Sequence, residues 1–221
     1  MNDIVIRIKE DGTVSVEENE NGVKSYKRIS PDSLLECINK SILRGTVFSG
    51  LLPRGCLSYT AHDNGYKDVY ILHPENKADI SYHGTMYKDF PLPKLAFGFR
   101  ITGDGRISSC GLGVVGNDDI PKLNTPMYHY PFSNVSGFSL CTGNNTFPKV
   151  TSLHTLGSIP YYILSMDNNN DHFKPHHNKL GLEMRDLLEL IKDKQPSFYY
   201  SDILIKYPNA TLNDFISGRK V

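Results

Sequence analysis

The chain has 221 residues, of which 39% are hydrophobic and 22% charged, enough to bury one good core, or one core with a smaller appendage. Lys plus Arg and Asp plus Glu both total 24, so the formal net charge is zero, and neither nucleic acid nor an anionic membrane is expected as a direct partner. The opening MNDIVIRIKEDG carries charges at Asp3, Arg7 and Lys9 and no apolar stretch of signal-peptide length, and no later segment approaches membrane-spanning length; a soluble cytoplasmic protein is expected.

In chain order, Ile4–Ile8 and Thr13–Glu17 flank the turn Glu10-Asp11-Gly12 and predict a hairpin, followed by a polar loop from Glu18 to Gly22. Ser30-Pro31-Asp32 starts a helix whose apolar face is Leu34, Leu35, Ile38 and Ile42, reaching about Leu43 and ended by Gly45. Strand-like runs follow at Cys56–Ala61, Asp68–Leu72, Asp79–Tyr82, Leu95–Ile101 and Arg106–Val115. The turns between them, Pro91-Leu92-Pro93 among them, are short, and short connections favour an antiparallel meander. Ser158–Met166 reads as a helix entered through Pro160, with a strand as its rival, and Asp167–Asn178 as a polar loop. Leu180, Met184, Leu187, Leu188 and Ile191 recur at helical spacing until Pro196. A short apolar run, Phe198–Ile205, then leads through Tyr207-Pro208-Asn209 to a last helix at Thr211–Ile216. The expected fold class is α+β in a single domain, 1–221. It comprises an N-terminal hairpin extension (1–29), a core of antiparallel meander packed with helices (30–166) and a C-terminal helical region (167–221).

The four cysteines, Cys37, Cys56, Cys110 and Cys141, form no C-x-x-C pair, which argues against a zinc knuckle or a disulfide framework. Cys37 sits in a helical pattern, and Cys56 and Cys110 in strand contexts, where a buried structural thiol is the default. Cys141 differs through its neighbours in YHYPFSNVSGFSLCTGNNTF, residues 128–147. A tight reversal through Gly137 brings Asn134 back towards the sulfur, pairing a nucleophile with an amide suited to stabilise an oxyanion. Cys141 with His129 or His154 is a second possible constellation, a Cys-His hydrolase pair. His172, His176 and His177 lack the spacing and partner ligands of a metal site, and Gly111, Gly113 and Gly116 lack the Gly-Lys-Ser/Thr of a phosphate loop. No metal or cofactor is expected. The tyrosines Tyr161, Tyr162, Tyr199 and Tyr200 default to core and half-buried roles.

The run from Asn134 to Cys141 resembles the active-site segment of ubiquitin-conjugating enzymes, where a His-Pro-Asn motif precedes a turn, a glycine, an aliphatic residue and the catalytic cysteine. More closely, the chain resembles the PRTRC system protein B family, the prokaryotic ubiquitin-conjugating-like family D. The matching pieces are Gly50-Leu51-Leu52-Pro53, Phe90-Pro91-Leu92-Pro93-Lys94-Leu95-Ala96-Phe97, Pro126-Met127-Tyr128, Pro131-Phe132-Ser133-Asn134-Val135, Cys141-Thr142-Gly143-Asn144 and Thr211-Leu212-Asn213-Asp214-Phe215. Two departures stand out: Phe132-Ser133 replaces His-Pro, and the asparagine-to-cysteine interval is one residue shorter. The resemblance implies a ubiquitin-conjugating-like fold and an acyl relay. A separate adenylating enzyme would activate a ubiquitin-like protein, Cys141 would carry it as a thioester, and Asn134 would steady the oxyanion. Asp167, Asp171 and His172 are candidates, by position past the cysteine, for activating the acceptor. The alternative from another class is a non-catalytic module that binds a ubiquitin-like protein within a bacterial plasmid or mobile-element system.

Overall fold

The computed structural model describes residues 3–20, 22–42 and 48–218. The chain divides into two compact units at Phe48/Ser49, so the first helix, expected to open the core, groups instead with the strands before it.

In the first unit, β1 (Asp3–Ile8) and β2 (Val14–Glu20) form the expected hairpin, and β2 also pairs along its length with β3 (Val23–Ile29). The expected loop from Glu18 to Gly22 is therefore mostly strand. Glu20 pairs with Val23. Glu17, in the middle strand, is buried and bonded by Arg7 from one neighbour (2.8 Å) and Lys24 from the other (2.7 Å). Helix α1 (Pro31–Ile42) is capped by the Ser30 hydroxyl, which accepts the Ser33 N–H. Leu34 is buried but Leu35 and Ile38 are exposed, and Cys37, expected to be a buried thiol, is exposed as well. The reason is a small core: among the described apolar residues of this unit only Val14 and Leu34 are buried. Leu43 and Gly45, the expected helix end, lie outside the described residues.

The second unit contains β4 (Cys56–Ala61), β5 (Lys67–His73), β6 (Asn76–Tyr82), β7 (Thr85–Leu92), β8 (Leu95–Ile101) and β9 (Ile107–Val115). After them come β10 (Pro126–Tyr128), β11 (Val135–Ser136), β12 (Ser139–Leu140), α2 (Ile159–Leu164), β13 (Asp167–Asn168), α3 (Met184–Ile191), β14 (Lys206–Thr211) and α4 (Leu212–Ile216). The main sheet is antiparallel in the order β4-β5-β8-β9, and the far edge of β9 is shared by β12 and β10, the latter pairing onward to β14. The meander is thus interrupted. β6 and β7 leave the sheet as a hairpin of their own, joined by β13 in parallel with β6. Burial explains the choice of neighbour: β8, LAFGFRI, is buried at all but one position, as a central strand must be, whereas β6, NKADISY, alternates with exposed polar residues. β7 runs through Pro91-Leu92, expected as turn, and its Pro91 carbonyl accepts the Tyr199 hydroxyl at 2.8 Å.

Alternation along β5, β8 and β9 gives the sheet two covered faces. Val69, Ile71, Leu95, Phe97, Phe99, Leu112 and Val114 join α2, α3 and Tyr199 in the main core, where Met184, Leu187, Leu188 and Ile191 are all buried at the expected helical spacing. Ala96 and Val115 turn the other way, to a smaller cluster with Tyr207, Leu212 and Phe215. Residues 159–164 are helical, as read, and not a strand. The C-terminal region holds α3 and α4, a 3-10 turn at Pro175–His177 and a π-helical turn at Tyr199–Ile203, but also β13 and β14, the latter carrying the chain through Tyr207-Pro208-Asn209. Among the described residues no helix is long and apolar enough to cross a membrane.

Two substitutions test this packing by urea unfolding. Leu187→Ala removes a fully buried side chain and is expected to cost about 2–5 kcal/mol. Gly55 has φ +76° and a Cβ there would stand 2.4 Å from the Leu72 carbonyl oxygen, so Gly55→Ala is expected to destabilise by at least about 1 kcal/mol; an unchanged midpoint would contradict this turn.

Candidate active site

The chain enters the Cys141 segment through buried residues. Tyr130, Phe132 and Ser133 have almost no exposure, and Phe132 meets Phe90, Tyr130 and Tyr199 edge-on at 5.8, 5.4 and 6.2 Å between ring centres. The Phe132 ring is therefore a core anchor. Ser133 then donates its hydroxyl to Asn168 Oδ1 at 3.0 Å, and the Asn134 N–H donates to the Asp171 carbonyl at 2.7 Å.

Asn134 has φ +66°, a left-handed conformation that asparagine tolerates better than most residues. Beyond it β11 and β12 pair, Val135 with Leu140 and Ser136 with Ser139, around a two-residue turn with Gly137 (φ +58°) first and Phe138 second. A positive φ at the first turn position is the type II′ pattern, which glycine supplies. The Cys141 N–H donates to the Asn134 carbonyl at 2.7 Å. The expected reversal is formed, with Asn134 and Cys141 facing each other across the open end of a hairpin. Its other end is docked: the Leu112 N–H donates to the Phe138 carbonyl (3.0 Å), the Tyr207 hydroxyl donates to the Gly137 carbonyl (3.1 Å), and Phe138 packs on Tyr207 and Phe215, each at 5.1 Å.

Cys141 is exposed. Behind it lies a cavity of about 30 Å³ with Ser133, Asn134, Leu140, Cys141 and Asn168 in its wall, room for about one water molecule. Among the described residues no hydrogen bond engages Cys141 Sγ or the Asn134 side-chain amide. That amide is free to donate to a developing oxyanion but is not fixed in advance. The other strand cysteines differ: burial pushes the Cys110 thiol up to about 12 and raises that of Cys56, which keeps both protonated and unreactive at neutral pH.

The remaining sequence candidates fall in different places. Asp167 is tied to the β6–β7 turn, accepting the Ser81 hydroxyl at 2.5 Å and the Gly84 N–H at 3.3 Å. Asp171 is exposed, its carboxylate accepting from Asn169 Nδ2 at 3.1 Å while its backbone carbonyl holds Asn134. His172 is exposed with φ +60°. Neither histidine of the hydrolase constellation is hydrogen-bonded to Cys141. His129 is stacked between Tyr207 (3.6 Å) and His177 (4.5 Å), and His154 Nδ1 is paired with the Ser152 hydroxyl at 2.9 Å. Among the described residues no three His, Cys, Asp or Glu side chains converge on a metal position. Ser133 and Asn168 have no signature in the sequence: one stands in an aromatic run, the other opens a string of three asparagines.

The imidazole stack has a pH signature. Burial, then His129, His176 and Lys174, lower the pKa of His177 from 6.5 to about 4, and burial followed by His176 and Lys174 lowers that of His129. The unfolded chain therefore takes up these protons first, so the stability they contribute is complete above about pH 6.5 and is lost as pH falls towards 4. The thermal midpoint is expected to drop over that window, and His177→Gln to flatten the drop. Equal slopes for the two proteins would exclude His177 as its source.

Comparison of the chain with protein-family models, with curated proteins and with solved structures finds no match.

Proposed function

We propose that the protein is a ubiquitin-conjugating-like acyl carrier and that the unit from Ser49 onward has a ubiquitin-conjugating-like fold. The observation that carries the reading is the hairpin geometry: an exposed Cys141 sits opposite Asn134 at the open end of a hairpin whose other end is docked on an antiparallel sheet. Sheet, cysteine-bearing hairpin and later helices follow one another in the order of that family. In the reaction, the Cys141 thiol loses its proton and its sulfur attacks the thioester that joins a ubiquitin-like protein's C-terminus to the activating enzyme. The acyl–sulfur bond to the activating enzyme breaks and that enzyme's thiol is released. An amine then attacks the new thioester, loses a proton and expels the Cys141 thiolate. The exposed Cys141 thiol is accessible to the incoming thioester. Each attack places negative charge on the carbonyl oxygen, where the Asn134 amide is available to donate. Asp171, whose backbone carbonyl accepts the Asn134 N–H, is the candidate carboxylate for the incoming amine.

A second reading is a non-catalytic module that binds a ubiquitin-like protein in a plasmid or mobile-element system. The absence, among the described residues, of any hydrogen bond to Cys141 Sγ favours it. Mass spectrometry of the protein incubated with an activating enzyme, a ubiquitin-like protein and ATP separates the two. The carrier predicts a thiol-labile adduct on the wild type and on Cys37→Ser, which removes the other exposed cysteine, and its loss or conversion to a thiol-resistant adduct in Cys141→Ser. A charged activating enzyme beside an unmodified wild-type chain would favour the binding module.

A further inference from the structure

The stem of the Cys141 hairpin is held by a loop distant in sequence. Asn168 accepts the buried Ser133 hydroxyl through Oδ1 and donates through Nδ2 to the Ser81 carbonyl (3.1 Å) and the Met166 carbonyl (3.5 Å). Its own carbonyl accepts the His83 N–H at 3.0 Å, and β13, to which it belongs, pairs in parallel with β6. One side chain therefore ties the residue preceding Asn134 to a strand of the second sheet. Three residues on, Asp171 takes the Asn134 N–H. Ser133, Asn134, Cys141 and Asn168 also share the wall of one cavity.

We infer that Asn168 is a positioning residue for Asn134 and Cys141, an inference that rests on the acyl-carrier reading. Asn134 is in the left-handed region, a conformation unfavourable for an ordinary residue that persists where surrounding contacts determine it. Those contacts are the Asp171 carbonyl and the Cys141 N–H on Asn134 itself, with the Ser133–Asn168 bond fixing the residue before it. Loss of Asn168 leaves a buried hydroxyl without its acceptor and frees the stem to turn. The Asn134 amide then meets the developing oxyanion in fewer of its conformations, and transfer slows while the exposed sulfur stays accessible.

The test is a double-mutant cycle on thioester discharge. Protein charged by an activating enzyme, a ubiquitin-like protein and ATP is chased with free lysine, and loss of the adduct is followed without reducing agent. Asn168→Ala is expected to load but to discharge at least about tenfold more slowly, a fraction of the effect of deleting an oxyanion donor. Ser133→Ala breaks the same bond from the buried side and is expected to reproduce the slowing, which keeps the test decisive if Asn168→Ala fails to fold. A residue that acts through Asn134 adds nothing once Asn134 is gone, so Asn134→Ala with Asn168→Ala is expected to match Asn134→Ala alone within about twofold. Wild-type discharge by both single variants, or rate losses that multiply in the double variant, would overturn the assignment. A wild-type chain that takes no thioester from a charged activating enzyme defeats the carrier reading and the positioning role with it, and is told apart by the missing adduct.

Discussion

The Cys141 hairpin depends on the burial of the chain just before it. A two-residue hairpin with only two residues in each arm has little stability of its own. Here Tyr130 and Phe132 enter the main core immediately upstream, while Phe138 at the tip packs in the smaller cluster on the opposite face of the sheet. The segment is held at both ends by aromatic side chains, and the short backbone ladder between them inherits that order. Cys141 lies just past the ladder, where the chain turns outward, so its thiol is exposed while its N–H remains bound to Asn134.

Polar satisfaction completes this arrangement. A buried hydroxyl such as that of Ser133 costs free energy unless paired, and its partner comes from a loop that is itself bound to β6. The diversion of β6 and β7 out of the main sheet thereby acquires a role at the site. Had the meander been continuous, neither the parallel pairing of β13 nor the attachment of Asn168 to Ser81 would form. The second sheet of this unit reaches the candidate site through Asn168.

The imidazoles show how far neighbours alter a residue's chemistry. His129 and His177 are each ordinary in the sequence, yet their rings stack on each other and His129 also packs on Tyr207, whose hydroxyl bonds the Gly137 carbonyl at the hairpin tip. Of the two candidates for a Cys-His pair, His129 is held in this aromatic cluster and His154 is bonded to Ser152. Cys110 illustrates the same point for thiols, since burial raises its pKa and keeps it protonated.

Features with a short-range physical cause were legible in the sequence. The first hairpin, the strands at Cys56–Ala61 and Leu95–Ile101, the face of α3 and the reversal that sets Asn134 against Cys141 all follow from periodicity, caps and turn residues acting within about ten positions. The α+β class follows from them. Where local signals were mixed the reading went astray: Glu18 to Gly22 looked like a loop because its strand is polar, and Pro91 suggested a turn because a proline breaks ladders that a strand margin tolerates. Only the tertiary structure decided which strands pair, because neighbours compete for β5 and the more completely buried β8 prevails. Only the tertiary structure exposed Cys37 by leaving α1 a small core to cover, stacked His129 away from Cys141, and brought Asn168 to Ser133 from 35 positions along the chain. Such contacts are settled by which surfaces remain to be buried and which polar groups remain to be paired after the local elements have formed.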